Sequence, residues 1–151
     1  MLEVGMKYEI DRVVTENDTA AKAASGSVEV LATPVMIAWM EEASLRLAQK
    51  ELEEGLTTVG TEVNIKHLKG TLVGKTVKVL STLKEIDRKR LVFDVEVIED
   101  GVAVGTGSHT RFIIDTAKFY EKLKIKSNDF RHSFNENNNT EFNDIYEIKE
   151  H

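Results

Sequence analysis

The hydrophobic positions of the chain follow two periods. Residues 34–54 are apolar at helical spacing, with Thr33 placed to cap the segment and Gly55 to end it. Five other segments have the period of two that is typical of half-buried strands: residues 6–14, 59–68, 75–86, 91–99 and 102–114. The pattern therefore predicts one strand, one long helix and then four more strands.

Turn signals between the later strands predict how they pair. Residues 87–90 form a polar turn, and Asp100-Gly101 is a strong hairpin signal. Strands joined in this way are antiparallel, and a helix that is apolar over most of its circumference needs a sheet curling around it. We therefore predict an α+β fold, an antiparallel sheet wrapped around one long central helix. Gly105 and Gly107 lie on one strand face, which indicates either a close approach of another group or local curvature.

Glu41 lies on the wrong side of the predicted helix. Its neighbour Glu42 belongs to a polar arc with Arg46 one turn on, whereas Glu41 falls among apolar residues such as Ile37 and Leu45. A carboxylate buried without a partner costs several kcal/mol or becomes protonated. Glu41 therefore needs a functional or structural explanation that Glu42 does not.

Thr33 and His67 are also expected to face inward. His67 ends the inward row of its strand, after Val63 and Ile65. Each polar residue has a structural explanation when taken singly: a helix cap, a satisfied rim histidine, or a carboxylate bonded to a backbone turn. A hydroxyl, an imidazole and a carboxylate together are the groups that acyl transfer needs.

The spacing of these residues restricts how they could act together. Thr33 and Glu41 are eight residues apart, which is about 12 Å along a helix. They cannot touch directly, so a substrate, His67 or a second subunit must fill the gap.

Composition narrows the class of protein. A chain of 151 residues with 41% hydrophobic and 30% charged residues is typical of one globular domain with a tail. A net charge of −6 argues against a nucleic-acid-binding surface. The absence of cysteine removes disulfides, thiolate metal sites and a cysteine nucleophile. There is neither a secretory h-region nor an apolar run of roughly 18 residues, so no membrane association is expected and a cytoplasmic location is predicted.

The C-terminal part differs from the rest of the chain. Residues 119–151 are rich in asparagine and charge, with only scattered aromatic residues. This composition is typical of a disordered or loosely docked extension. We therefore predict a folded domain over residues 1–118 and a polar extension over residues 119–151.

Three segments of the globular part carry a resemblance to a known family. They read VLATPVMIAWMEEA, VGTEVNIKHLKGTLVGKTVKV and GVAVGTGSHTRFII. Together they resemble the hotdog-fold thioesterases, and most closely the fluoroacetyl-CoA thioesterase group, over about residues 5–115. The helix signature and the spacing from Gly60-Thr61 to His67 carry most of the resemblance.

The resemblance implies an activity and a set of site residues. It implies a thioesterase that hydrolyses a small acyl-CoA to an acid and coenzyme A, with no metal or redox cofactor. It also implies a homodimer or higher homo-oligomer with active sites at the subunit junction. Thr33, Glu41 and His67 would be catalytic, and Gly60 and Arg111 would contact the substrate or its coenzyme A portion. One feature departs from the group: residues 18–32 contain no aromatic residue, whereas the fluoroacetyl-CoA enzymes have a phenylalanine lid there.

Several roles stay open at this stage. Glu41 is either the nucleophile or the base for water, His67 would carry the proton, and Thr33 would orient or attack. Arg111 is expected to pair with a coenzyme A phosphate, an acyl carboxylate or a sheet acid, and Lys66 and Lys69 are candidates for the nucleotide phosphates. The alternatives are a non-catalytic module that binds or senses acyl-CoA and, more weakly, a hydratase.

Overall fold

The computed structural model describes the backbone of residues 1–132 and the side chains of residues 1–126. The main elements of this part, in chain order, are β1 (Lys7–Val13), α1 (Thr33–Gln49), β2 (Leu56–His67), β3 (Thr76–Asp87), β4 (Arg90–Glu99), β5 (Val102–Asp115) and α2 (Thr116–His132). A short 3-10 turn, Glu16–Asp18, follows β1. The predicted order of one strand, one long helix and four further strands is confirmed.

The strands form one antiparallel sheet in the order β1-β3-β4-β5-β2. The β4–β5 hairpin turns at Asp100 and Gly101, whose φ angles of 48° and 76° are both positive, as a type I′ turn requires. β1 and β2 are the two edges of the sheet, and β2 is the longer of them.

α1 packs across one face of the sheet. Met36, Met40 and Leu47 on the helix are buried with alternate residues of β4 such as Phe93 and Val95, which share one sheet face because of the period of two. The predicted α+β arrangement is therefore correct.

The two glycines of β5 make close approaches possible, as the sequence indicated. A Cβ atom on Gly105 would lie 2.5 Å from the sulfur of Met36, and one on Gly107 would overlap the carbonyl oxygen of Asn64 on β2. Gly105 thus lets the helix approach the sheet, and Gly107 lets β2 approach β5.

The ends of α1 differ from the prediction. Ala32 is the N-cap residue and makes no side-chain capping bond, so Thr33 is the first helical residue and its hydroxyl is not used as a cap. The helix ends at Gln49 instead of residue 54, and the chain then turns through Gly55, whose φ is 89°. A positive φ suits glycine, so Gly55 does mark a turn after the helix. The helix itself, however, ends before that turn, at Gln49.

A β-bulge in β2 changes which residues face α1. Gly60 pairs with Arg111 and Glu62 pairs with Thr110, so Thr61 is an extra residue. The strict alternation predicted for residues 59–68 is therefore wrong before the bulge. Gly60, and not Thr61, shares the helix-facing side of the sheet with Val63, Ile65 and His67.

α2 follows β5 without a break and crosses the boundary predicted at residue 119. It continues as a helix to His132, and the asparagine-rich stretch that follows lies outside the described residues. Neither α2 nor any other helix within residues 1–132 is both long enough and apolar enough to cross a membrane.

Candidate active site

Thr33 and His67 form a hydrogen-bonded pair at one end of the α1–β2 contact. Thr33 begins α1 and His67 ends β2, and the hydroxyl oxygen of Thr33 lies 2.7 Å from Nδ1 of His67. The other ring nitrogen, Nε2, is buried and has no hydrogen-bond partner within the described part of the chain. One side of the imidazole is thus occupied by a hydroxyl, and the other has no partner within the described part of the chain.

A cleft of about 290 Å³ lies beside this pair. Its walls combine aliphatic and polar groups, and its lining includes Ala20, Val30, Leu68 and Lys69. Lys69 therefore stays a candidate for a phosphate of coenzyme A. Lys66 instead lines a depression with Asp94 and Ser108, on the opposite face of the sheet from His67.

Glu41 lies farther along α1 and is not buried within a single chain. Its side chain is 42% exposed, and Oε2 lies 3.8 Å from Nη1 of Arg111. The expectation that Glu41 is buried among apolar residues is therefore wrong for the chain by itself. The reason is that the side of α1 carrying Ala38, Glu41 and Leu45 borders an open cleft with Arg111 instead of the sheet interior. Glu42 pairs with Arg46, as the i,i+4 spacing predicted, and also with Arg12.

Arg111 is buried beside Glu41 and is held by several groups. It is only 6% exposed. Its Nε donates to the hydroxyl oxygen of Thr58 over 2.7 Å, and its Nη2 donates to the carbonyl oxygen of Thr58 over 2.9 Å. Burial lowers the pKa of Arg111, and the charge of Glu41 raises it in part. The acid that faces this arginine comes from the helix, so the sheet acid proposed for it is wrong.

His109 completes this group. It is 1% exposed, its Nδ1 lies 2.8 Å from the carbonyl oxygen of Glu62, and its Nε2 lies 3.1 Å from Nη1 of Arg111. A carbonyl oxygen can only accept, so Nδ1 carries the proton and Nε2 accepts from the arginine. Burial lowers the pKa of His109; the bond to Glu62 raises it in part, and the charge of Arg111 lowers it further.

His109 was not singled out from the sequence. It lies two residues before Arg111 on the same face of β5, in the row that contains Gly105 and Gly107. That spacing was the available signal, because alternate residues of a strand share a face.

Gly60 leaves room for the side chains of Glu41, His109 and Arg111. A Cβ atom at this position would lie 3.0 Å from Cε1 of His109, 3.2 Å from Nη1 of Arg111 and 3.2 Å from Oε2 of Glu41. A glycine at the bulge therefore leaves room for a carboxylate, a guanidinium and an imidazole to meet.

The predicted trio is divided within one chain. Thr33 and His67 are together, but Glu41 lies about 12 Å farther along the helix axis, and the imidazole next to its carboxylate is that of His109. The cleft beside Thr33 and the cleft beside Glu41 share no lining residue. Among the described residues, no group of three or more His, Asp or Glu side chains is arranged to hold a metal ion.

Comparison with known proteins identifies related sequences. The family model described as fluoroacetyl-CoA-specific thioesterase matches residues 14–117. The fluoroacetyl-CoA thioesterase of Streptantibioticus cattleyicolor is 32% identical over 133 residues, which cover 83% of this chain and 95% of that protein.

Solved structures agree with the sequence comparison. A crystal structure of a fluoroacetyl-CoA-specific thioesterase superposes with a TM-score of 0.78 at 30% identity and covers 83% of this chain and 98% of that one. A Thermus thermophilus member of the thioesterase superfamily superposes with a TM-score of 0.80 at 26% identity and covers 88% and 98%. A hot-dog-like protein from Thermanaerovibrio acidaminovorans, 19% identical with a TM-score of 0.77, shares the fold.

Proposed function

The chain belongs to the fluoroacetyl-CoA-specific thioesterase family and is a thioester hydrolase, and we propose that it hydrolyses acyl-CoA as a homodimer. In this proposal Thr33 and His67 of one subunit act with Glu41 of the other. The observation that carries it is the division of the site. At one end is a hydroxyl–imidazole pair whose second ring nitrogen has no partner among the described residues, and at the other is a carboxylate with an arginine.

The β2 edge is the surface that supports a second copy. Val63 is 43% exposed, although it lies on the helix-facing side of the sheet. Ile65 of β2 and Ile37 and Leu45 of α1 are only half-buried. An edge strand offers unpaired backbone groups to another strand, and an apolar row beside it would be covered by the same contact.

The bulge supports one register for this contact. A two-fold axis at Asn64 would pair β2 with its copy in antiparallel fashion, so that Val63 lies opposite the partner's Ile65 and Glu62 opposite the partner's Lys66. The second pair joins opposite charges. Because Thr61 is an extra residue, Gly60 then falls opposite the partner's His67. A symmetric contact of this kind would create two equivalent sites, each next to Glu41 of one subunit.

The resulting site would contain a hydroxyl, an imidazole and a carboxylate, each hydrogen-bonded to the next. Nδ1 of His67 would accept the proton of Thr33, and Nε2 would donate to Glu41 of the partner subunit, which orients the ring and stabilises its charged form. This arrangement would give the unpaired Nε2 a hydrogen-bond acceptor.

The reaction then takes two steps. Oγ1 of Thr33 attacks the thioester carbonyl while its proton passes to His67, and the C–S bond breaks as the departing thiolate takes that proton. Water, activated by the same imidazole, then cleaves the threonyl ester to release the acid and restore the hydroxyl. The first amides of α1 lack helical partners and could stabilise the oxyanion, although Pro34 supplies none.

The size of the cleft and the aliphatic part of its lining support a small acyl group. Ala20, Val30 and Leu68 line it, and residues 18–32 contain no aromatic side chain. We propose a small uncharged acyl-CoA as the substrate, with Lys69 next to the coenzyme A portion. Gly60 and Arg111 would lie next to the thioester on the Glu41 side.

Complementation between two inactive variants tests the divided site. His67→Ala and Glu41→Gln should each abolish most release of free thiol from short acyl-CoAs. A mixed dimer of the two variants would have one site with both mutations and one intact site. After free subunit exchange, half of the dimers are mixed, so about one quarter of the wild-type activity should return. If a demonstrated mixed dimer recovered no activity, a site shared by two subunits would be contradicted. If the wild-type protein bound the thioester without releasing thiol, it would be a binding module.

A cross-linking experiment tests the register. The chain has no cysteine, so Asn64→Cys introduces a single thiol at the proposed axis. Opposite residues of antiparallel strands have Cα atoms about 4.5 or 5.5 Å apart, which a disulfide spans. Mild oxidation should therefore give a covalent dimer that stays active. Lys66→Cys is the matched control, because its two copies would lie about 13 Å apart. Equal cross-linking of both variants would refute this register.

A further inference from the structure

We infer that His109 is a positioning residue, which holds the guanidinium of Arg111 toward Glu41 as a neutral hydrogen-bond acceptor. The inference rests on the proposed function, because it assigns His109 to the Glu41 side of that site. His109 would not touch the substrate, since it is buried behind Arg111.

The bulge in β2 fixes the tautomer of His109. The carbonyl oxygen of Glu62, directly after the extra residue Thr61, lies 2.8 Å from Nδ1. This oxygen must accept, so it holds the ring proton on Nδ1 and leaves the lone pair of Nε2 directed at Arg111. The same irregularity that leaves Gly60 room thus supplies the group that orients the imidazole.

The hydrogen bonds of Arg111 explain what this orientation does. A guanidinium has five N–H donors in one plane, and Thr58 takes one on Nε and one on Nη2. Nη1 donates to His109 over 3.1 Å and lies 3.8 Å from Glu41. The contact with Glu41 is close enough for an ion pair but too long for a hydrogen bond. His109 and Thr58 therefore fix the plane of the guanidinium, and Glu41 faces its remaining edge.

A purely structural role would make different predictions. His109 also lies near the ring of Phe93, with centroids 6.4 Å apart, so its removal could loosen the core alone. A core effect lowers stability for any replacement of similar size and does not depend on Arg111. A positioning effect depends on which ring nitrogen is reproduced and disappears when Arg111 is absent.

Two amide variants separate these roles. His109→Gln can place its amide oxygen near the position of Nε2 and keep an acceptor for Arg111, whereas His109→Asn keeps a donor near Nδ1 and removes that acceptor. We expect the asparagine variant to lower kcat by about tenfold to a hundredfold, with KM changed by less than about threefold, because misplaced groups at a site have effects of this size. The glutamine variant should recover most of kcat. Equal losses in both variants would overturn the inference.

A double-mutant cycle tests the dependence on Arg111. Arg111→Gln should lower kcat on its own, and His109→Asn added to it should then lower kcat by less than about threefold, since residues of one network are not additive. Full additivity would overturn the inference. Thermal unfolding of all variants identifies any loss that arises from folding.

Nuclear magnetic resonance gives a readout that needs no activity. The ring nitrogens of His109 in the wild-type protein should give a protonated Nδ1 and an unprotonated Nε2 near neutral pH, and a protonated Nε2 would overturn the inference. Turnover measured on two variants separates this inference from the proposed function. If Glu41→Gln keeps full turnover, the proposed function fails; if Glu41→Gln is inactive while His109→Asn is fully active, only the role of His109 fails.

Discussion

The two halves of the candidate site are built in opposite ways. The half with Thr33 and His67 is at the rim of the molecule. Within residues 1–126, whose side chains the structure describes, one hydrogen bond joins the pair and the second ring nitrogen of His67 has no partner. The half with Glu41 and Arg111 rests on buried groups from β2 and β5, and Thr58 and His109 hold the guanidinium by three hydrogen bonds.

The two halves of the site are held in place by different kinds of contact. The Arg111 half is assembled within one chain, because β2 and β5 are hydrogen-bonded neighbours whose register fixes Thr58, His109 and Arg111 together. The Thr33 half joins a helix start to a strand end, and it has the chemistry of acyl transfer without a carboxylate. Preorganised charge in one half and an accessible hydroxyl in the other are complementary requirements of catalysis.

Glu41→Gln gives the largest effect expected from this comparison. It keeps the shape of the side chain but removes the charge that would orient and stabilise His67 of the partner subunit. We expect kcat for short acyl-CoAs to fall by about 10² to 10⁴-fold, since losing the carboxylate that orients a catalytic imidazole can cost as much as about 10⁴. Thiol release measured at saturating substrate checks it.

Glu42→Gln is the matched control. Glu42 is the adjacent carboxylate and pairs with Arg12 and Arg46 at the surface of α1. Its loss should change the free energy of unfolding by no more than about 1 kcal/mol and leave kcat unchanged. A similar fall in kcat for both variants would mean that helix charge in general, and not Glu41, supports turnover.

The elements of this fold could be predicted from local periodicity, but the partners within the site could not. The strands and α1 each repeat a pattern within their own residues, so the sequence alone predicts them. The bulge at Thr61 depends on how β2 meets β5, and it moves Gly60 to the helix-facing side. The partner of Thr33 depends in the same way on a strand end more than thirty residues away. Glu41 was conspicuous from the sequence, but the imidazole beside it, His109, required the sheet register.

Gly60→Ala and Gly105→Ala give intermediate effects of different kinds. The added methyl group at Gly60 would lie against His109, Arg111 and Glu41, so it should lower kcat by about tenfold and cost less stability than the change at Gly105. The methyl group at Gly105 would meet Met36 and Met40 in the core and should cost about 1 to 3 kcal/mol of stability by overpacking.

These two variants are each other's control, since both add one methyl group to a sheet glycine. Kinetics and urea unfolding on the same samples check the distinction. If the Gly60 variant lost stability and kept its kcat, the opening at the bulge would serve packing and not the site.

The pH dependence of stability gives the smallest effect and concerns the buried half alone. Burial lowers the pKa of His109 below its ordinary 6.5, so the unfolded chain takes up a proton at a higher pH than the folded protein does. Stability from this residue is therefore complete above about pH 6.5 and is lost as the pH falls toward the lower folded value, by at most about 1.4 kcal/mol per pH unit.

Unfolding in urea at several pH values measures this loss. Between pH 6.5 and 5 the free energy of unfolding should fall less steeply for His109→Gln than for the wild type, because the variant lacks the imidazole. The carboxylates common to both proteins cancel in the difference. Between pH 7.5 and 8.5 the two slopes should coincide, which is the internal control. Equal slopes in the acid range would mean that His109 is protonated in the folded protein as easily as in the unfolded chain. The contrast between the half that rests on buried groups and the half at the rim would then lose its electrostatic basis.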